Sequence, residues 1–442
     1  MPSSKALTPS CLYEQSFERT LKQGLVDEKQ LKTSMALARD AVDKLRSKGK
    51  DGSLEMLESV FWKDDIPNFS AIGTFYRRFH SVVVIGMGGA ALSGKALCSL
   101  YQSWIMSDSS FPFIYFLDNL DPEIFWELMS VLNPKTTGIV VISKSGETTE
   151  TIALFMRCLE YWKEFLTPQE IGTHFTIISR KESALARLTG QFQMTFLEHP
   201  QAIGGRFSCF TLVGLFPLIM VGGDPRKVRQ GGSAVVKSFF ADRTSPPLEG
   251  AALLHALYEN KKLTSHVLLP YGDAFTQFVQ WCRQLVAESL GKQGQGITPL
   301  SALGPCDQHS QLQLYLDGPK DKFFTLLTEK NKPREKVKPD LWASFPEVSF
   351  LAENTLEDLL FAHQRATAEV LVSRDCPVRE ICVKTFNELS IGALFAHFML
   401  ETLVLAELMD INPLDQPAVE SIKVLAKRFL KPSNREGERQ AS

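Results

Sequence analysis

Apolar runs at residues 82–85, 113–117, 138–142 and 175–178 recur along one stretch of this chain. Segments of helical period lie between them, at residues 90–101, 123–132 and 149–165. The runs are continuous rather than alternating, as in strands buried on both faces. Strands joined through helices must run parallel, so this stretch predicts a doubly wound α/β sheet.

With 442 residues the chain is too long for a single core. Gly222-Gly223-Asp224-Pro225 breaks it, and a second, less regular α/β region comes next, with strands at 267–269 and 323–327 and a helix at 276–290. Residues 13–60 read as a helical, highly charged appendage, and helices at 355–373, 389–409 and 418–429 close the chain. The run 329–340 reads as a solvated loop and 433–442 as a mobile tail. The expected architecture is α/β. Residues 71–225 form one parallel-sheet domain that binds phosphate, and 226–442 form a second with a C-terminal helical arm. Residues 1–70 form a helical segment packing on the second domain.

Forty-eight basic residues against fifty acidic ones leave no net field to favour nucleic acid or an anionic membrane, so any anion site is local. Eight cysteines without a C-x-x-C pair or a metal-ligand spacing read as reduced, mostly buried thiols, which favours the cytoplasm. No signal peptide is visible at the N-terminus. The apolar stretch 389–409 carries His397, Glu401 and Glu407 and reads as a buried helix rather than a membrane span.

Straight after the run 138–142 comes Ser143-Lys144-Ser145-Gly146-Glu147-Thr148-Thr149-Glu150. Hydroxyls and backbone N–H groups converge there on the positive end of a helix dipole, a place to hold a phosphate. Gly86-Met87-Gly88-Gly89-Ala90-Ala91 fits G-x-G-x-x-A, and Asp118 ends the next strand where a ribose-binding acid would sit, so a dinucleotide site is one reading. The plainer one is that these glycines let backbone approach a ligand or another element. The stretch from Gly89 to Ala96 is a near miss for a phosphate-binding P-loop, lacking the hydroxyl that would coordinate Mg²⁺.

Four further clusters stand out. Arg206 comes after Gly204-Gly205, where its guanidinium can meet an oxyanion or sit in a surface turn. Gln284, Glu288 and Lys292 share a helical face, and the Glu–Lys spacing ordinarily means a solvated ion pair. His309 lies among amides able to fix its tautomer. Lys423 comes after Asn412-Pro413-Leu414-Asp415-Gln416-Pro417, about two turns into a helix, with Glu420 as its plain partner.

In their order along the chain these segments, with Ala287-Glu288-Ser289-Leu290-Gly291-Lys292 and Asp307-Gln308-His309-Ser310-Gln311, resemble the glucose-6-phosphate isomerase family over roughly residues 80 to 430. The resemblance implies two sugar-isomerase (SIS) domains and a homodimer, with His309 supplied across the subunit interface. It implies interconversion of glucose 6-phosphate and fructose 6-phosphate with no metal or redox cofactor. Glu288 matches the family's proton-transferring base, His309 and Lys423 its ring-opening pair, and Arg206 its enediolate stabiliser. Ser143, Ser145 and Thr148, with Lys144 nearby, match its phosphate-binding positions, Gly88 and Gly89 belong to its substrate- and phosphate-binding set, and Gln284 and Gln416 match its ligand-contacting amides. One departure is Ala90, where many members carry serine, which implies altered affinity. Two other classes stay in view: a non-catalytic sugar-phosphate sensor, expected to lack one of Glu288, His309, Arg206 or Lys423, and a nicotinamide-dependent dehydrogenase built on G-x-G-x-x-A and Asp118.

Overall fold

The computed structural model describes residues 7–101, 110–242, 244–261, 263–330 and 345–430. Most of the expected loop at 329–340 and the whole of the tail at 433–442 lie outside the described residues.

The chain forms two five-stranded sheets. The strands in chain order are β1 (Tyr13–Ser16), β2 (Ser81–Ile85), β3 (Phe113–Leu117), β4 (Thr137–Ile142), β5 (Phe175–Ser179), β6 (Thr195–Glu198), β7 (Ser265–Pro270), β8 (Thr298–Ser301), β9 (Lys322–Glu329) and β10 (Val378–Val383). The first sheet has the order β3-β2-β4-β5-β6 and is parallel throughout. Its central strands β2, β4 and β5 are buried at every position, as their unbroken apolar runs require. Between β2 and β4 the direction of winding reverses. Ligands of open α/β sheets bind at that reversal, beyond the carboxyl ends of the strands. Ile85 stands level with Val141 there, so the turns opening at Gly86 and Ser143 emerge side by side.

The second sheet has the order β1-β10-β9-β7-β8, parallel except for β1, which runs antiparallel to β10. Tyr13 is 1% exposed, so the segment read as a helical appendage begins with a strand of the second sheet. Its helix Glu28–Lys50 buries Ala38, Ala41, Val42 and Leu45 in the main core. The charge of that helix misleads because only its outer face is solvated. Two long helices escape the expected set of elements, Pro225–Ala241 and Pro246–Lys261.

Helix Glu388–Leu408 is buried along nearly its whole length within the protein. It crosses Pro225–Ala241 at a glycine pair: a Cβ on Gly392 would meet the Val228 carbonyl oxygen at 2.0 Å, and one on Gly231 the Leu389 oxygen at 1.8 Å. Inside this core lies a chain of polar groups. Arg379 pairs with both carboxylate oxygens of Glu401, and its Nε donates to Thr325 Oγ1 at 3.1 Å. His397 stands 3.3 Å from Glu401 and hydrogen-bonds the Tyr13 hydroxyl at 2.9 Å. His397 and Glu401, in a stretch apolar enough for a membrane, therefore face each other inside the protein, while Glu407 pairs with Lys48. None of the eight cysteines is joined in a disulfide among the described residues, and five of them are buried.

Candidate active site

The turn after β4 is shaped by its own hydroxyls. Ser143 Oγ accepts from the Gly146 N–H at 3.1 Å and lies 3.1 Å from Thr148 Oγ1; Ser145 Oγ accepts from the Glu147 N–H at 3.1 Å. Thr148 is the N-cap residue of helix Thr149–Trp162, yet its hydroxyl caps no helical N–H. That helix end keeps unsatisfied donors and a positive dipole beside Ser143, Ser145 and Thr148. Lys144 is half-buried, and its pKa is lowered by burial and by the nearby Arg206 charge, against an opposing pull from Glu55. The influence of Arg206 ties the turn to the second half of the site.

The turn after β2 supplies close backbone approach. A Cβ on Gly89 would fall 2.2 Å from the Gly205 carbonyl carbon, and one on Gly88 2.8 Å from Gln284 Nε2. These glycines seat the turn carrying Arg206 and the amide of Gln284 against the first sheet, the plainer of the two readings of the motif. Asp118 is engaged by Lys95 at 2.6 Å, which leaves the ribose-acid reading without its free carboxylate.

Arg206, 3% exposed, organises the centre. Its Nη1 donates to Glu288 Oε2 at 3.1 Å and to Gln416 Oε1 at 2.9 Å, and its Nε to Ser289 Oγ at 2.9 Å. Nη2 donates to the carbonyls of Pro413 and, at 3.1 Å, Asp415. Trp281 Nε1 fixes the backbone of the turn by donating to the Arg206 carbonyl at 3.0 Å. Burial lowers the Arg206 pKa from the ordinary arginine value, and Glu288 and Asp415 act in the opposite direction. The other oxygen of Glu288 accepts from Gln284 Nε2 at 3.0 Å, while Gln284 Oε1 is buried without a partner.

Helix Thr276–Leu290 thus supplies Glu288 and Ser289 to the guanidinium, Trp281 to the Arg206 backbone and Gln284 to the Glu288 carboxylate. The pairing expected between Glu288 and Lys292 is corrected. The helix ends at Leu290, so Lys292 leaves the shared face and pairs with Asp415 at 2.8 Å, while Glu288 turns to Arg206. Nothing in the residue pattern alone singles out Ser289, Trp281 or the carbonyls of Pro413 and Asp415.

Two expected residues stand apart within this chain. His309 is exposed, and the amides around it are turned elsewhere: Gln308 donates to the Tyr271 hydroxyl at 2.7 Å and to Thr367 at 2.6 Å, and Gln311 accepts from Tyr315. Lys423 lies on helix Glu420–Phe429, which buries none of its residues, and pairs with Glu420 at 2.7 Å. Among the described residues no group of three or more His, Cys, Asp or Glu side chains is arranged to hold a metal ion.

Fold and centre together place the chain among two-sheet α/β proteins of the sugar-phosphate isomerase class. The family described as phosphoglucose isomerase matches residues 54–299, and the chain belongs to that family. A protein of Thermus thermophilus named "Glucose-6-phosphate isomerase" is 35% identical over 355 residues, 79% of this chain and 83% of that protein. One of Methanococcus maripaludis named "Probable glucose-6-phosphate isomerase" is 32% identical over 391 residues, 88% of this chain and 87% of that protein. The crystal structure of a Thermus thermophilus protein described as hypothetical superposes with a TM-score of 0.83 at 29% identity, covering 95% of this chain and 99% of that one.

Proposed function

We propose that this chain is an aldose–ketose isomerase that interconverts glucose 6-phosphate and fructose 6-phosphate through a cis-enediolate, the step shared by glycolysis and gluconeogenesis. The observation that carries the reading is the Glu288 carboxylate, held at one oxygen by Arg206 and at the other by Gln284, with the glycine turn of the first sheet packed against the turn that carries Arg206. Aldose–ketose exchange needs one carboxylate near both C1 and C2, which removes the C2 proton and returns it to C1. As the proton leaves, charge builds on the enediolate oxygens. A buried guanidinium held in place by five acceptors faces that charge with a fixed positive charge of its own.

The phosphate rests on Ser143, Lys144, Ser145 and Thr148 with the backbone of Gly88 and Gly89. Gln416 and the unpartnered Oε1 of Gln284 meet sugar hydroxyls. Ring opening falls to His309 and Lys423. The exposure of His309 supports its delivery by a second copy of the chain in a homodimer. Ala90, in the turn that carries Gly88 and Gly89, alters affinity without touching the proton transfer. The free cysteines support the cytoplasm as the place of action. The first sheet with its helices, residues 71–225, forms the phosphate-binding domain, and 226–442 form the second, with 1–70 packed on it.

The test is Glu288→Gln, which preserves the shape and the Arg206 contact but removes the base. Turnover should fall by about 10³-fold or more with the phosphosugar still bound. Turnover at the wild-type rate would refute the assignment. A dinucleotide reading predicts saturable binding of NAD, and the occupied Asp118 predicts none.

A further inference from the structure

We propose that Lys292 is a positioning residue for this isomerase reaction. It clamps the loop of residues 412–416 so that the loop's carbonyls hold the Arg206 guanidinium in line with Glu288. The inference rests on the roles proposed for Arg206 and Glu288 and adds a residue that touches neither.

Lys292 sits just beyond the helix that carries Glu288. Its backbone is fixed by bonds from its own N–H to the Leu290 carbonyl at 2.9 Å and from the Gln295 N–H to its carbonyl at 2.8 Å. The side chain is only 11% exposed, and its ammonium has two partners on one loop, the Asn412 carbonyl and Asp415 Oδ1 at 2.8 Å. A compact ammonium with several donors suits two acceptors that are not coplanar. The carboxylate it meets is held below the ordinary aspartate range, chiefly by that contact.

The loop has no helix or strand pairing of its own, and local ties between Asn412 and Asp415 at 3.0 Å and between the Leu414 N–H and Asn412 at 3.1 Å give it shape but not position. Position comes from two cations. Arg206 takes the carbonyls of Pro413 and Asp415 and the amide oxygen of Gln416; Lys292 takes the carbonyl of Asn412 and the side chain of Asp415. Without Lys292 the acceptors that align Arg206 sit on a loop free to shift. Because Nη1 divides its donors between Gln416 and Glu288, the misalignment reaches the base directly. The phosphate turn lies on another strand and is untouched.

Lys292→Met keeps the buried stem and removes the charge. Displacements of about 1 Å around a reacting centre cost up to about 10²-fold, so kcat should fall roughly 10–100-fold while KM stays within about threefold. Lys292→Arg should restore kcat to within about fivefold of wild type, because charge and donors return. Asp415→Asn should lower kcat on its own by roughly three- to tenfold. Combined with Lys292→Met it should add little, since both act through one contact. If Lys292→Met does not fold, Asp415→Asn alone carries the test, its altered residue lying on the exposed side of the pair. Wild-type kcat in either single variant, or losses that multiply in the double variant, would overturn the clamp. Glu288→Gln assayed in parallel separates the two readings: full turnover there removes the base assignment, whereas an inactive Glu288→Gln beside a normal Lys292→Met removes the clamp alone.

Discussion

Arg206 and Glu288 stand 82 residues apart in the chain and 3.1 Å apart in space. One comes after the last strand of the first sheet and the other rides a helix of the second sheet, so their contact joins the two halves of the protein across the site. The guanidinium is almost fully buried whereas the carboxylate side chain is 31% exposed. This asymmetry suits the roles proposed for them: the cation is fixed, and the carboxylate remains reachable by a substrate.

Arg206→Lys tests the fixed half. Lysine keeps the positive charge but cannot serve Glu288, Ser289, Gln416 and two carbonyls at once. Loss of a preorganised donor at a developing oxyanion costs about 10²–10³ in kcat, and that is the expected outcome, with KM changed by less than about fivefold. Steady-state kinetics with fructose 6-phosphate decide it. A lysine variant with wild-type kcat would mean that charge alone suffices.

The phosphate turn should show the opposite split. Ser143→Ala combined with Thr148→Val removes two facing hydroxyls that lie 3.1 Å apart, without altering the backbone N–H groups of the helix start. Each hydrogen bond to a charged group contributes about 1.5–3 kcal/mol, so KM should rise at least about tenfold while kcat changes little. The converse pattern, a loss in kcat at constant KM, would place the phosphate elsewhere.

The sheet around the Ser143–Thr148 turn was legible because its central strands β2, β4 and β5 are buried on both faces and the edge strand β3, though partly exposed, is an unbroken apolar run, so that β2 to β5 are placed nearly to the residue. The other edge strands were not. β6 and β8 are short and half-exposed, and β1 lies in a segment dominated by the charges of the helix that comes after it. Ser143 and Arg206 stood out in local motifs, whereas Glu288 was singled out only by the family resemblance and Lys292 read as the other half of a helix-face ion pair. Its actual partner lies more than a hundred residues away on a loop, and periodicity carries no trace of such a contact.

A second buried charge pair governs stability rather than chemistry. Arg379 and Glu401 are essentially unexposed, and Arg379 also donates to Gln15 at 3.3 Å, which ties β1 to the second sheet. Arg379→Met leaves the Glu401 carboxylate buried without its cation, a change that costs about 3–5 kcal/mol. The urea midpoint of Arg379→Met should fall accordingly. Replacing both residues by methionine should recover most of the loss, because a buried pair exchanged for packed apolar groups is close to neutral. A double variant as unstable as the single one would show that the pair itself stabilises the fold.

Acid sensitivity arises from histidines that the fold keeps neutral. Burial lowers the pKa of His266 from 6.5 to about 3, with Arg379 adding to the effect, and burial lowers that of His199 from 6.5 to about 4. Below pH 6.5 the unfolded chain binds protons that these folded sites refuse, so stability is complete above that pH and declines as pH falls toward 3–4. Glu401 extends the decline. Burial raises its pKa, but Arg379 and His397 outweigh that and hold it at about 2, so its contribution is lost between pH 4.5 and 2. Each refused proton contributes a slope of about 1.4 kcal/mol per pH unit. Urea titrations at pH 7, 5.5 and 4 should therefore show a steep loss in the wild-type protein. In His266→Gln, where one titrating group is gone, the slope should be shallower by about 1 kcal/mol per unit. An unchanged slope in that variant would show that His266 takes up its proton as readily folded as unfolded.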